Sequence, residues 1–173
     1  QGELEFRSNI AAMLKQQFGW QLTEANIAVS NGSQSAFYIL FNLLAGQMPD
    51  GSFKSIHLPL SPEYIGYNDL GLTPDFFTAS QPDIELIGDN HFKYHVNFEQ
   101  LSLDNKTAAL CVSRPTNPTA NVLTDNEIAH LDQIAHDADI PLIIDDAYGL
   151  PFPGITFADV KPHWNTNCIL VLS

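Results

Sequence analysis

The stretch Pro141-Leu-Ile-Ile-Asp-Asp-Ala-Tyr-Gly149 decides the reading of this chain. Leu142, Ile143 and Ile144 form a short apolar run, entered from a proline and rich in β-branched residues, as in a buried strand of a parallel sheet. The run stops at two carboxylates, Asp145 and Asp146, with a phenol two residues on at Tyr148. Open parallel sheets bind ligands outside the carboxyl ends of their strands. The pair of acids thus falls where such a fold places its chemistry, although Asp is also a common turn residue and in isolation serves equally well to end the strand.

Working outward, the same pattern recurs. Glu5 to Phe18 carries Phe6, Ile10, Met13, Leu14 and Phe18 at helical spacing and is stopped by Gly19. Short strands are expected at Ile27–Val29, Lys54–Leu58, Ile84–Ile87, Thr107–Val112 and Cys168–Leu172, and a helix over Ala36–Leu44. Thr124 to Asp137 reads as a helix with Thr124 as N-cap and Glu127 closing a capping box. The segment from Gly88 to Phe98 fits a hairpin or a loop, and the PFPGITF stretch, 151–157, a proline-rich loop. Strands alternating with helices predict an α/β fold, a mostly parallel sheet with helices on both faces.

Composition narrows the function. The chain has 173 residues, a formal net charge of −13 and only seven Lys and Arg, which are scattered. A nucleic-acid partner would call for a basic face, and anionic membranes for a basic patch; neither is expected. No apolar run is long enough to span a bilayer, and the polar start QGELEFRSN lacks a signal-peptide core. Cys111 and Cys168 lie in apolar runs and read as buried free thiols, which points to a reducing, cytoplasmic setting.

Three further turns carry ligand chemistry. Asn31-Gly32-Ser33-Gln34 precedes a helix, so its glycine allows close backbone approach and the helix start offers N–H groups suited to a phosphate; plain N-capping by the serine is the competing reading. Tyr64, in PLSPEYIGY, presents an aromatic face for a flat ring, or lines a helix rim. Asn117, in SRPTNPTANVL, is pushed toward extended geometry by Pro118, which aims its amide outward. A carboxylate opposite a ring nitrogen keeps that nitrogen protonated, the condition under which a pyridoxal ring acts as an electron sink. His91 and His95, spaced i, i+4, would form half a zinc site if helical, but no motif places a third ligand and no metal is expected.

The ordered set NGSQSAF, PLSPEYIGY, SRPTNPTANVLT and LIIDDAYG resembles the class I/II aminotransferases, the aspartate-aminotransferase-like group of fold type I pyridoxal-phosphate enzymes. The resemblance implies that residues 1–173 are an incomplete cofactor-binding large domain. It implies that Gly32, Ser33, Gln34 and Ser173 bind the phosphate of pyridoxal 5′-phosphate, that Tyr64 stacks on its ring, that Asn117 and Tyr148 hydrogen-bond its 3′ oxygen, and that Asp145 holds the ring nitrogen with Asp146 as a neighbour. The implied reaction moves an amino group between a small aliphatic amino acid, of valine or alanine type, and a 2-oxo acid such as pyruvate, in a homodimer. Two departures stand out. Ala120 occupies a position where the family has glycine. The family's Schiff-base lysine falls beyond Ser173, as does its small domain, so the segment alone is expected to be inactive. A non-catalytic module of the same fold is the alternative, and a Mg²⁺-dependent phosphoryl-transfer enzyme using Asp145 and Asp146 a lesser one.

Overall fold

The computed structural model describes residues 2–149 and 159–173; the expected loop at 151–157 lies outside the described residues. Helix α1 (Leu4–Phe18) starts at Glu3, whose carboxylate accepts the Phe6 N–H, and ends at Gly19 in the left-handed region at φ 73°. After a single turn of 3₁₀ helix at Glu24–Asn26, helix α2 (Ser33–Leu44) follows. Strands β1 (Gly46–Gln47), β2 (Phe53–Leu58) and β3 (Phe77–Ala79) come next, with a second 3₁₀ turn at Ile65–Tyr67 between β2 and β3. Then come β4 (Asp83–Ile87), β5 (His91–His95), β6 (Thr107–Ser113), α3 (Asp125–Asp137), β7 (Leu142–Asp145) and β8 (Cys168–Val171).

The main sheet runs β1-β2-β6-β7-β8, with β3 also paired to β2. Every pairing in it is parallel except β1 with β2. The mostly parallel sheet expected from the alternation of elements is therefore present. Both faces are covered, and strand alternation assigns residues to them. Leu110, Val112, Leu142 and Ile144 pack with Ile128, Leu131 and Ala135 of α3. Ala109, Cys111 and Ile143 point the other way and pack with Phe37 and Phe41 of α2. Burial on two faces is why β6 and β7 read as continuous apolar runs instead of alternating ones.

Two expected strands differ. Ile27–Val29 forms no strand: Ile27 is extended, at φ −107° and ψ 125°, but the segment joins no ladder. The local preference of Ile27 is met, while a strand also needs a neighbour with free backbone groups. Ile84–Ile87 is a strand, β4, but it pairs only with β5, in a separate antiparallel hairpin. That hairpin resolves the Gly88–Phe98 segment, with Gly88 at φ 62° in the turn. It also removes the helical premise for His91 and His95: they lie at opposite ends of β5, four residues apart along an extended chain, roughly 13 Å at strand rise and too far to share an ion.

His95 ties the hairpin to α3. Its Nε2 meets Glu85 at 2.8 Å and its Nδ1 meets Glu127 at 3.0 Å. Glu127 also closes the capping box with Thr124 and accepts the Val96 N–H, so one carboxylate joins helix start and hairpin. The Glu85 bond, with help from Glu127, raises the His95 pKa from 6.5 against burial and the repulsion of Lys93. A raised histidine stabilises the fold fully below its unfolded pKa, and that contribution disappears as pH rises through the folded value. Amide exchange across 83–95 is therefore expected to accelerate as pH climbs from 6 to 8, beyond the intrinsic base catalysis of exchange. In His95→Gln this extra acceleration should be absent.

Candidate active site

At the carboxyl ends of β6, β7 and β8 the register places Ser113 beside Asp145 and Asp145 beside Val171. Asp145 follows Ile143 by two residues and so faces the α2 side of the sheet. There it lines a cleft with Ser33, Gln34, Phe37, Tyr64, Ala147, Tyr148 and Ser173. Four separated parts of the chain thus supply one cavity.

Each wall has a local cause. Gly32 sits at φ 90°, a conformation that L side chains rarely adopt, and turns the chain into α2. No side chain caps the α2 start, so the N-capping reading of Ser33 does not hold, and the first-turn N–H groups remain open to a ligand. Tyr64 lies against Gly66, where a Cβ would come within 2.4 Å of the Tyr64 ring and 2.9 Å of the Gln34 amide. Only glycine leaves room for that ring position. Tyr148 is 47 % exposed at the rim. Asn117 is exposed in the turn after β6 and does not line the cleft.

Beneath the cleft lies a set of buried acids only partly visible in the sequence. The Tyr67 hydroxyl donates to Asp145 Oδ2 at 2.5 Å, and the Ala147 N–H donates to Oδ1 at 3.0 Å. Tyr67 is itself packed against Phe37, Phe41 and Tyr64. Burial raises the Asp145 pKa, and these two bonds oppose the rise. Glu63 takes the Ser113 N–H at 3.0 Å and bonds the Ser113 hydroxyl. Burial, reinforced by the charge of Asp145, pushes Glu63 up to about 8. Asp146 points away from the cleft toward Gly149, where any Cβ would strike the Arg114 carbonyl. Burial also raises Asp146 to about 8, with Arg114 opposing and Asp145 assisting. Two neighbours of Asp145 thus favour their neutral forms near pH 7. Asp145 and Asp146 diverge, which leaves the Mg²⁺ reading without a shared ion position.

Sequence reasoning missed Glu63 and Tyr67 as parts of this site. A signal existed for Tyr67, three residues after Tyr64 in a tight turn and hence on the same side. Glu63 had none, because its partner Ser113 is remote in sequence. Arg114 is a clamp: Nε donates to Leu123 O, Nη1 to Lys161 O and Nη2 to Asp125 at 2.7 Å. Lys54 and Lys93 spend their amines on the Asn105 and Val122 carbonyls, away from the cleft.

A parallel sheet covered on two faces, with an uncapped helix start and a buried carboxylate at its strand ends, defines an α/β domain with a ligand cleft where open parallel sheets bind ligands. The family model "Aminotransferase class I and II" matches residues 1–173, and the chain belongs to that pyridoxal-phosphate-dependent family. It is 52% identical over 173 residues to valine–pyruvate aminotransferase of Escherichia coli (strain K12), covering 100% of this chain and 42% of that protein. Aspartate aminotransferase of Bacillus subtilis (strain 168) is 26% identical over 149 residues, which cover 85% of this chain and 35% of that one. Among solved structures, valine-pyruvate aminotransferase AvtA from Salmonella typhimurium LT2 superposes with a TM-score of 0.89 at 50% identity, over 98% of this chain and 41% of that one. A putative amino-acid aminotransferase from Psychrobacter arcticum 273-4 gives 0.93 at 46% identity, over 100% and 42%. The chain spans about two-fifths of the length of these relatives.

The pH response of Glu63 is open to direct test. An acid with a raised folded pKa stabilises fully below its unfolded value, 4.5, and that contribution is lost as pH rises toward about 8. Glu63→Gln keeps partners for Ser113 without the charge. Denaturant unfolding should show the variant gaining on the parent between pH 5 and 8, with a flatter stability profile. At Ala120 the φ is 56°, so the left-handed conformation implied by the family's glycine is present and an alanine is held in it. Relief of that strain, set against the extra freedom of glycine in the unfolded chain, makes Ala120→Gly stabilising by about 0.5–1 kcal/mol in thermal denaturation.

Proposed function

We propose that the parent protein is a pyridoxal 5′-phosphate-dependent aminotransferase that exchanges an amino group between a small aliphatic amino acid, valine or alanine, and a 2-oxo acid such as pyruvate. Residues 1–173 would form the incomplete cofactor-binding part of its large domain. The observation that carries this reading is the Asp145 carboxylate, buried at the end of β7 and oriented by Tyr67 and Ala147, across a cleft from the open start of α2. The 52% identity to valine–pyruvate aminotransferase supports the choice of substrates.

The residues present fit the cofactor. Gly32, Ser33 and Gln34 at the α2 start, with Ser173 opposite, supply N–H and hydroxyl donors for a phosphate. Tyr64 supplies a face for the ring, and its seat over Gly66 fixes that face. Asp145 supplies the negative charge that holds a ring nitrogen protonated. The pyridoxal ring, when bound, accepts electron density from the substrate carbon that loses its proton. Glu63 and Asp146, both raised toward the neutral form, add little repulsion against a charge on Asp145. Tyr148 would meet the 3′ oxygen; the family resemblance gives Asn117 the same contact, although it stands outside the cleft in this structure. A homodimer in the cytoplasm completes the proposal; among the described residues no helix is long and apolar enough to cross a membrane.

The test uses the full-length protein with alanine, valine and their 2-oxo acids. Transfer to pyruvate and pyridoxal absorbance are expected; their absence with every donor overturns the reading. Asp145→Asn should lower kcat/KM by several orders of magnitude, while Asp146→Asn, which faces away from the cleft, should cost much less. If Asp146→Asn is the more damaging change, the ring-nitrogen role has been placed one residue out.

A further inference from the structure

A second group of side chains converges at the other end of β8. Asp132 sits on the buried side of α3, His163 on the segment that leads into β8, and Cys168 is the first residue of that strand. His163 Nε2 lies 2.9 Å from Asp132 Oδ2, and Cys168 Sγ lies 3.5 Å from Asp132 Oδ1. One ligating atom from each residue falls within 4.8 Å of the others, the only such trio of metal-binding side chains among the described residues. The Asn165 side-chain amide donates a hydrogen bond to Asp132 Oδ2.

This is an unusual use of the interior. Asp132 is 7% exposed, on a helix face whose neighbours Ile128, Leu131 and Ala135 belong to the apolar core. Helix–sheet packing alone calls for an apolar residue there, since a buried carboxylate costs stability unless fully compensated.

We propose that Asp132, His163 and Cys168 form a binding site for a divalent metal ion of the zinc class. One oxygen, one imidazole nitrogen and one sulfur are ligands that a borderline-soft ion accepts together. Tetrahedral ligation at about 2.0–2.3 Å sets ligand atoms about 3.3–3.8 Å apart, close to the separations present, so small side-chain shifts suffice. Binding releases the thiol proton to solvent and leaves a metal-bound thiolate. Cys168 also lines a separate cleft with Leu14, Trp20, Ile27 and Trp164. The site is structural: it fastens α3 and the 163–165 segment to the first residue of β8. The cofactor cleft begins beyond the opposite end of that strand, roughly 15 Å away at strand rise.

The full-length protein, stripped with chelator, is titrated with Co²⁺ as the probe. One equivalent should produce a thiolate-to-metal charge-transfer band in the near ultraviolet and quench Trp20 and Trp164, the two tryptophans of this segment, whose rings lie 5.9 Å apart beside the site. Zn²⁺ should displace the Co²⁺ and raise the melting temperature. Cys168→Ser should abolish the band, and His163→Ala should weaken binding by more than tenfold. His91→Ala, on the exposed hairpin, should leave it unchanged. His163 is partly exposed, so its variant decides the matter even if Cys168→Ser fails to fold. Absence of the band at one equivalent, or unchanged affinity in His163→Ala, overturns the proposal.

Discussion

The bond from the Tyr67 hydroxyl to Asp145 is the contact on which the site depends. Asp145 ends a central strand, and its neighbours β6 and β8 leave it little water. A carboxylate so placed tends to take up a proton. Tyr67 and the Ala147 N–H oppose that tendency by bonding the charged form. The tyrosine is held by the aromatic cluster of Phe37, Phe41 and Tyr64, so the packing of α2 against the sheet also orients the acid. Core and site are one structure here: the helix that buries Phe41 also points its open amino end at the cleft.

Charge in the cluster is divided unequally. Asp145 is close enough to repel Glu63 on one side and Asp146 on the other, and all three are raised by burial. The two that reach about 8 are those without a role at the cleft, one bonded to Ser113 and the other set beside Arg114. Three neighbouring anions in a low-dielectric interior would repel strongly. Burial moves Glu63 and Asp146 toward their neutral forms and so weakens the repulsion felt by Asp145.

Much of this was legible in the sequence, for reasons that can be named. Leu142–Ile144 and Thr107–Val112 are buried on both faces, so their composition alone marks them. Thr124 and Glu127 form a local device three residues apart, which a linear reading can find. The turn chemistry marks Asp145, Ser33, Gln34, Tyr64 and Tyr148, the family resemblance adds Ser173, and all six line one cleft. What escaped depends on partners distant in the chain. Ile27–Val29 has the composition of a strand, and an extended backbone at Ile27, without a neighbour to pair with. The three-residue β3 exists because β2 has a free edge beside it. Glu63 is an ordinary surface-type residue until Ser113, far along the chain, arrives beside it.

Arg114 shows why residue type alone misleads at a strand end. An arginine next to a cofactor cleft invites a role in holding a substrate carboxylate. Its guanidinium is instead turned to the other side of the sheet, where it joins Leu123, Asp125 and Lys161. The alternation that sends Asp145 to one face and Asp146 to the other operates on β6 as well. Ser113 reaches Glu63 on the cleft side, and Arg114, one residue later, faces Asp146 and the α3 start. A shift of one residue in either strand would exchange these roles, leaving an unpaired arginine under the cleft and the oriented carboxylate outside it. Register, more than composition, therefore decides which charged groups at these strand ends belong to the chemistry and which to the scaffold.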